Sequence, residues 1–536
     1  MEAFDYIVVG AGTAGCVVAS RLSESGRHSV LLLEAGGSDR RLWIQVPVGY
    51  GRTFNDPQVN WMYEAQADPA LASRRLFWPR GKVLGGSGSI NALVYYRGLP
   101  GDFDDWRALG NPGWGFEEVL PFFPRFAARA RAPAAAPRGP AIHISDVSAD
   151  VHPLCRKFID SCRALGFAGE DFNGPRGEGV GIYQITTKNG RRESSSQCYL
   201  HPALHRANLT LRLRAQVLRI LFEQRRAVAV SYRHTDGTQS VRANKAVILC
   251  GGAINSPQLL QLSGVGDGAL LARHGIEVVA DSPAVGRNLQ DHLAVSYFYR
   301  SKVPTLNDVF VPFAGKVKVA MRYLLSRRGP LAMSVNQAGG FIKSDPAKPR
   351  PNLQLYFNPI SYTTQGLKRR LLEPDPFSAF LISFNACRPT SRGHIEIRSA
   401  HPLEAPAIHP NSLATDEDVA DVMAGVRLLR AIAATAPLAD YIESEMLPGE
   451  AKRSDAQLLQ DFRERAGTVF HPVSTCRMGP DPESAVVDAS LRVYGVDALR
   501  VIDASVFPTV TSGNTNAPTL MVAEKGAALI AAEEGP

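Results

Sequence analysis

Asp5-Tyr6-Ile7-Val8-Val9-Gly10-Ala11-Gly12-Thr13-Ala14-Gly15 is the stretch on which the fold turns. A short, mostly apolar run leads into glycines spaced Gly-x-Gly-x-x-Gly, and a helical pattern follows, with Ala14, Val18 and Leu22 four apart on one face. Gly26 is placed to end that helix, Ser29-Val30-Leu31-Leu32-Leu33 reads as the next strand, and Glu34 stands at its end. The unit is β-turn-α-β. Gly10 permits the turn, Gly12 lets backbone approach a pyrophosphate, and Gly15 allows the helix to pack closely on the strand; Thr13 and Ala14 open the helix toward the anion. Glu34, about 20 residues on, is placed to accept hydrogen bonds from a ribose and to repel a 2′-phosphate, with Ala35 and Gly36 beside it. The expected ligand is an adenine dinucleotide. The motif alone leaves NAD and FAD both open.

The rest of the composition narrows the class. A chain of 536 residues suggests two or more units, and 45% hydrophobic with 21% charged residues fits a globular protein with a large core, which excludes disorder, coiled coil and a collagen-like chain. No apolar run is long enough to span a bilayer, and Met1-Glu2-Ala3-Phe4-Asp5 lacks the basic start of a secretory signal. The expected location is cytoplasmic, with at most peripheral contact with an inner membrane. The seven cysteines are odd in number and none has CxxC spacing, so neither a disulfide framework nor a metal site is expected. The net charge of +8 comes from scattered arginines with no run of five basic residues, so no nucleic-acid partner is expected.

Residues 127–140, rich in Ala, Pro and Arg, read as a mobile surface excursion. Strands are expected at 209–213, 217–222, 227–232 and 246–250, and Ser256-Pro257 is expected to start a helix that closes at Ser263-Gly264. Residues 300–465 lack glycine-rich nucleotide turns and mix strands (352–357, 394–398) with a helix over 416–434, which suggests a second unit. The last 40 residues return to strand (499–503), turn and a helix expected to start at Pro518.

Five further stretches carry the chemistry. Arg80-Gly81-Lys82-Val83-Leu84-Gly85-Gly86-Ser87-Gly88-Ser89-Ile90-Asn91 is a second glycine-rich segment, and Gly252-Ala253-Ile254-Asn255-Ser256-Pro257-Gln258-Leu259-Leu260-Gln261-Leu262-Ser263-Gly264-Val265-Gly266 is a third. Val285-Gly286-Arg287-Asn288-Leu289-Gln290-Asp291-His292, His471-Pro472-Val473-Ser474-Thr475-Cys476-Arg477-Met478-Gly479 and Asn514-Thr515-Asn516-Ala517-Pro518-Thr519 complete the set. In wording and order they resemble the signatures of the glucose-methanol-choline (GMC) oxidoreductases, over the whole chain and most thinly over 300–465.

The resemblance implies an α/β two-domain flavoprotein. A Rossmann-like FAD-binding domain on a mostly parallel sheet takes residues 1–150, 192–300 and 466–536, and a sheet-based substrate domain takes 151–191 and 301–465. It implies FAD contacts at Arg80, Leu84, Gly85, Gly86, Ser87, Asn91 and Ala92, then at Val217, Ala253, Asp503, Ala504, Asn516, Pro518 and Thr519. The residue chemistry agrees: Gly85, Gly86 and Ser87 have no bulk to keep a ring away, and the last helix N-terminus favours negative charge on the reduced ring. His471 matches the catalytic base and Asn514 the second active-site residue, with Asn516 close enough to be confused with it. Histidine titrates near working pH, and asparagine donates and accepts without titrating. Trp61, Tyr356, Val469 and Phe470 are candidates for the substrate pocket, and Gln354, Tyr356 and Asn358 could share one strand face.

Two departures bear on function. Some members attach FAD through a histidine in the first signature, where this chain has Ile90, so the FAD is expected to be non-covalent. Choline-specific members carry a carboxylate just after Asp-His, where this chain reads Leu293-Ala294. The expected reaction is therefore oxidation of a neutral primary alcohol to an aldehyde, with electrons passed to a quinone-like acceptor, a redox protein or O₂. An alcohol oxidase, a choline dehydrogenase and a flavoprotein lyase that cleaves cyanohydrins remain alternatives, and a non-enzymatic binding protein would leave His471 and Asn514 bystanders.

Overall fold

The computed structural model describes residues 1–129, 140–167, 172–174, 177–362 and 373–535. Two seven-stranded sheets organise them. In chain order their strands are β1 (Ala3–Val9), β2 (Val30–Glu34), β3 (Gly179–Ile182), β4 (Leu209–Leu213), β5 (Gln216–Glu223), β6 (Arg226–His234), β7 (Gly237–Leu249), β8 (Leu293–Ser301), β9 (Ala338–Ile342), β10 (Leu353–Asn358), β11 (Ala379–Ala386), β12 (Ile442–Leu447), β13 (Gly467–Thr468) and β14 (Leu499–Val501). The helices that matter here are α1 (Thr13–Leu22), α2 (Gly252–Leu262), α3 (Phe313–Ser326), α4 (Asp416–Ala433) and α5 (Asn516–Glu533).

The first sheet has the order β4-β2-β1-β7-β6-β5, with β14 added to β7. The pairings among β4, β2, β1, β7 and β14 are parallel, and β6 joins β7 and β5 antiparallel. Val30 to Leu33 and Ile7 to Val9 are buried without alternation, as expected of parallel strands covered on both faces. Gly15 is a packing residue: a Cβ there would lie 1.8 Å from the Gly10 carbonyl oxygen. Gly10 itself has φ +98°, and a Cβ there would meet the Cys250 carbonyl oxygen at 2.6 Å. The first turn is thus wedged against the end of β7.

The second sheet has the order β12-β8-β11-β10-β9-β3, with β13 on β8, and every pairing is antiparallel. Its alternation is clean. Val295, Tyr297, Leu355, Phe357, Phe380, Ile382 and Phe384 form a core with Val422, Val426 and Leu429 of α4, while Ala294, Ser296, Phe298, Tyr356, Asn358 and Ser383 face a cavity on the other side.

The structure corrects several expectations. α2 starts at Gly252, not at Ser256-Pro257, and holds Pro257 inside it. Proline removes the amide that would bond the Ala253 carbonyl; the Thr475 hydroxyl donates to that oxygen instead, at 2.7 Å. α5 starts at Asn516, so Pro518 sits within its first turn. β8 and β13 belong to the second sheet, although both fall in ranges assigned from sequence to the FAD-binding domain. Ala127–Arg129 is a strand paired in parallel with Ile142–Ser145; the remainder of the proposed excursion, 130–139, lies outside the described residues apart from Pro140. All seven cysteines are free and buried. Among the described residues no helix is long and apolar enough to cross a membrane.

Candidate active site

A cavity of about 1080 Å³ lies between the two sheets. At one end its walls are Gly10, Gly12, Thr13, Ala14, Glu34 and Ala35; Val217, Ala253, Asp503, Ala504, Asn516 and Thr519 follow along it. Arg80, Gly86, Ser87, Asn91, Ala92, His471, Asn514, Trp61, Tyr356, Val469 and Phe470 complete the lining expected from sequence. Five expected contacts do not line it. Gly15 packs against Gly10, a Cβ on Gly36 would meet the Lys82 carbonyl oxygen at 2.0 Å, and a Cβ on Gly85 would meet Ser89 Oγ at 2.2 Å. Leu84 is buried in the main core, and Pro518 is buried in the first turn of α5.

The dinucleotide end is shaped as a cradle. A Cβ on Gly86, where φ is +55°, would lie 2.7 Å from Gly12 Cα, so the two glycine loops meet backbone to backbone. A Cβ on Gly12 would find nothing nearer than 3.9 Å, so that position opens into the cavity. The Glu34 carboxylate accepts from the amides of Ala11 (2.9 Å) and Gly36 (2.7 Å). Burial pushes it up to about 7, and those amides and Lys82 pull the other way. Thr13 Oγ1 donates to Asn516 Oδ1 at 2.9 Å, which ties the starts of α1 and α5 together and separates Asn516 from Asn514. The Asp503 carboxylate is taken up by the Gly252 amide (2.8 Å) and the Ser256 hydroxyl (2.6 Å), so it holds the start of α2. Small residues, two helix starts and a carboxylate with acceptor capacity fit an adenine dinucleotide.

At the other end, His471 follows β13 on a tightly held loop. The His471 amide donates to Asp291 Oδ1 (2.7 Å), the Val469 amide to the His292 carbonyl (3.1 Å) and the Phe470 amide to Thr468 Oγ1 (2.8 Å). Arg80 Nη2 donates to the Phe470 carbonyl at 2.6 Å. These tethers hold Phe470 in the left-handed region at φ +70°, a conformation costly for a non-glycine residue. Burial raises Asp291 to about 6 and lowers Arg80 to about 10, and the two charges oppose those shifts.

A chain of hydrogen bonds decides which nitrogen of His471 carries the proton. His292 Nε2 lies 2.8 Å from the Cys387 carbonyl oxygen, which only accepts, so Nε2 carries the proton and Nδ1 of neutral His292 a lone pair. His292 Nδ1 faces His471 Nδ1 at 2.9 Å, so the proton between them is on His471. His471 Nε2 is therefore an acceptor, and Asn514 Nδ2 donates to it at 3.1 Å. Gln354 Nε2 in turn donates to Asn514 Oδ1 at 3.1 Å and fixes the amide. Burial pushes His292 down to about 4. Burial, then His292 and Arg80, hold His471 well below the usual histidine range. Both rings are neutral at pH 7.

Around this lone pair the wall is apolar with a few polar points. The Tyr356 hydroxyl and Asn358 Oδ1 are buried without a hydrogen-bond partner among the described residues, and both residues face the cavity. Phe470 packs edge-on against Phe54 at 5.4 Å, and Trp61 stacks on Tyr63 at 5.8 Å with Lys82 Nζ 4.4 Å above its ring. Ala294 and Ile90 also line the cavity. Gln354 does not, and reaches the site only through Asn514. Sequence reasoning missed the roles of Asp291 and His292, although the adjacent Asp-His pair was a readable signal. Outside the cavity, His394, Glu396 and His409 come together, but the two rings stack 4.3 Å apart and 11° from parallel, so their lone pairs do not converge on one ion.

Residues 4–294 and 389–523 match the N- and C-terminal models of GMC oxidoreductases. The chain is 41% identical to an alcohol dehydrogenase [acceptor] of Pseudomonas putida, covering 98% of this chain and 95% of that one. It is 42% identical to a mitochondrial choline dehydrogenase of Mus musculus, covering 99% and 89%. Among solved structures, pyridoxine 4-oxidase from Mesorbium loti superposes with a TM-score of 0.88 at 30% identity, covering 98% of both chains.

Proposed function

The chain belongs to the GMC oxidoreductase family and is an FAD-dependent enzyme acting on alcohols; from that premise we propose that it oxidises a neutral primary alcohol to the aldehyde, with His471 as the base. FAD held in the glycine cradle supplies the acceptor for the hydride that leaves the carbinol carbon. The chain's own residues do the rest. His471 Nε2 lines the cavity as an acceptor, its lone pair taken up by Asn514 Nδ2 at 3.1 Å until a substrate arrives. A substrate hydroxyl that comes within reach of both replaces the Asn514 hydrogen bond at Nε2, donates its proton there and accepts from the Asn514 amide, which steadies charge developing on the oxygen. His471 Nδ1–H stays donated to His292, so the ring keeps its orientation as it takes the proton.

The lone pair of His471 Nε2, fixed by the Cys387–His292–His471 chain, is the observation that carries this reading. Ala294 on the cavity wall supports a neutral substrate, and Ile90 supports FAD held without a covalent bond. The acceptor is quinone-like in this reading; the name of the Pseudomonas relative specifies an acceptor without saying which. The test is aldehyde formation from a panel of primary alcohols, with an artificial quinone-like acceptor and with O₂ side by side. Turnover dependent on the artificial acceptor is expected; equal turnover with O₂ alone would make the protein an oxidase, and no aldehyde from any alcohol would remove the proposal.

A further inference from the structure

α3 carries an apolar face that no described residue covers. Phe313 is 81% exposed and Leu325 80%, with Leu324, Met321 and Val317 exposed beside them. These five account for five of the twelve large exposed hydrophobic side chains among the described residues, all on one 14-residue helix. Their three- and four-residue spacing puts them on one side, opposite Val319 and Tyr323, which face inward. Tyr323 packs with Val46 and Ala332, and its hydroxyl donates to the Gly190 carbonyl at 3.0 Å. The helix is therefore firmly seated, and the apolar face is a feature of the folded surface.

The charges that the helix itself brings to that face are all positive. From 309 to 328 the chain has Lys316, Lys318, Arg322, Arg327 and Arg328 and no acidic residue. At about 100° per residue, Lys316 and Arg327 fall on one flank of the apolar stripe and Lys318 and Arg322 on the other. Arg322 and Arg328 pair with Asp150 at 3.0 and 3.2 Å. Lys316 and Lys318 are exposed and make no ion pair among the described residues.

We propose that α3 is a membrane-docking helix that lies in the surface of an anionic bilayer, its Phe, Val, Met and Leu side chains in the acyl boundary and its lysines and arginines at the headgroups. A convex single-helix ridge with cationic flanks matches that interface chemistry. A protein partner would instead need a broad complementary surface. The placement is functional as well. The segments holding Val46 and Ala332 run on to Tyr50 and Val335, both on the cavity wall. Docking through α3 brings that side of the cavity to the lipid, where long-chain alcohols and lipophilic quinones concentrate.

The test uses the FAD-loaded protein and two vesicle preparations, phosphatidylcholine alone and phosphatidylcholine with phosphatidylglycerol, in a flotation assay. The protein is expected to float with the anionic vesicles, less with the neutral ones, and less as salt rises. The double variants Phe313→Ser/Leu325→Ser and Lys316→Glu/Lys318→Glu are each expected to reduce flotation at least ten-fold while leaving oxidation of a short soluble alcohol with a soluble dye unchanged. Absence of the parent protein from anionic vesicles, or flotation of the Phe313→Ser/Leu325→Ser variant equal to the parent, would overturn the proposal. So would a dimer in light scattering that the same variant converts to monomer, since a second copy would then own the face.

Discussion

His292 Nδ1 and His471 Nδ1 face each other across 2.9 Å, and the Cys387 carbonyl, 2.8 Å from His292 Nε2, decides that the proton between the rings belongs to His471. His292 is thus a positioning residue: it reaches the substrate only through the ring it orients. His292→Ala should keep FAD and lower kcat/KM by about 10–100-fold, as does loss of the partner that orients a metal-bound histidine. His292→Asn, which can place an oxygen near the old Nδ1, should recover part of the loss. Unchanged kinetics in His292→Ala would remove its role.

The pH profile follows from the direction of the shift. His471 acts as a base only when neutral, and burial holds its pKa well below the ordinary value of about 6.5. Activity is then present above the lowered pKa and lost as pH falls through it. The acid limb of kcat/KM should lie clearly below pH 6.5, and a limb at or above the ordinary histidine value would show that the ring is more solvated than the structure has it.

The glycines of the first turn separate cofactor binding from folding. Gly12→Val should give folded, colourless protein, because its side chain enters the cavity where the dinucleotide passes. Gly15→Ala should lower stability, because its Cβ would sit 1.8 Å from the Gly10 carbonyl oxygen. Acid precipitation of the parent protein should leave the flavin in the supernatant, since Ile90 offers no atom for a link. Thermal melting, flavin absorbance and the colour of the pellet read these outcomes; yellow Gly12→Val protein or a yellow pellet would contradict them.

In the proposed reading substrate charge turns on Ala294, which pairs across the sheet with Gly467 beside the His471 loop. A cation moved from water into a dry pocket without a counter-charge costs several kcal/mol, and an aromatic face returns about 0.5–2 kcal/mol. A linear alcohol has no such cost and gains roughly 0.8 kcal/mol per buried CH₂. A neutral linear alcohol should therefore show a higher kcat/KM than choline, and Ala294→Glu should narrow the gap. A higher kcat/KM for choline in the parent protein would mean that another carboxylate serves as counter-ion.

The legible parts of this molecule are those where one physical requirement leaves few residues possible. The β1–α1–β2 unit was readable because an apolar run ends in a glycine turn, and the strands after residue 209 because their apolar residues fall in short runs broken by charged and polar ones. The start of α2 was misplaced because Pro257 reads as a helix start, and only a residue far away in the chain, Thr475, accepts the consequence of placing it inside. Residues 293–300 were grouped with the FAD-binding domain by their place in the chain, with no strand expected there; the partners that put β8 in the second sheet, β11 and β13, lie about 80 to 175 residues on. Within the site, His471 and Asn514 were read from the family wording, whereas the role of His292 depends on a distance that no spacing encodes.

Anaerobic flavin reduction tests most directly whether His471 takes the substrate proton. A linear primary alcohol mixed with the oxygen-free protein should bleach the flavin in a single turnover. His471→Ala, with its FAD content intact, should do so at least about 10²–10⁴-fold more slowly. Bleaching of the variant at the parent rate, or no bleaching of the parent by any primary alcohol, would contradict the account.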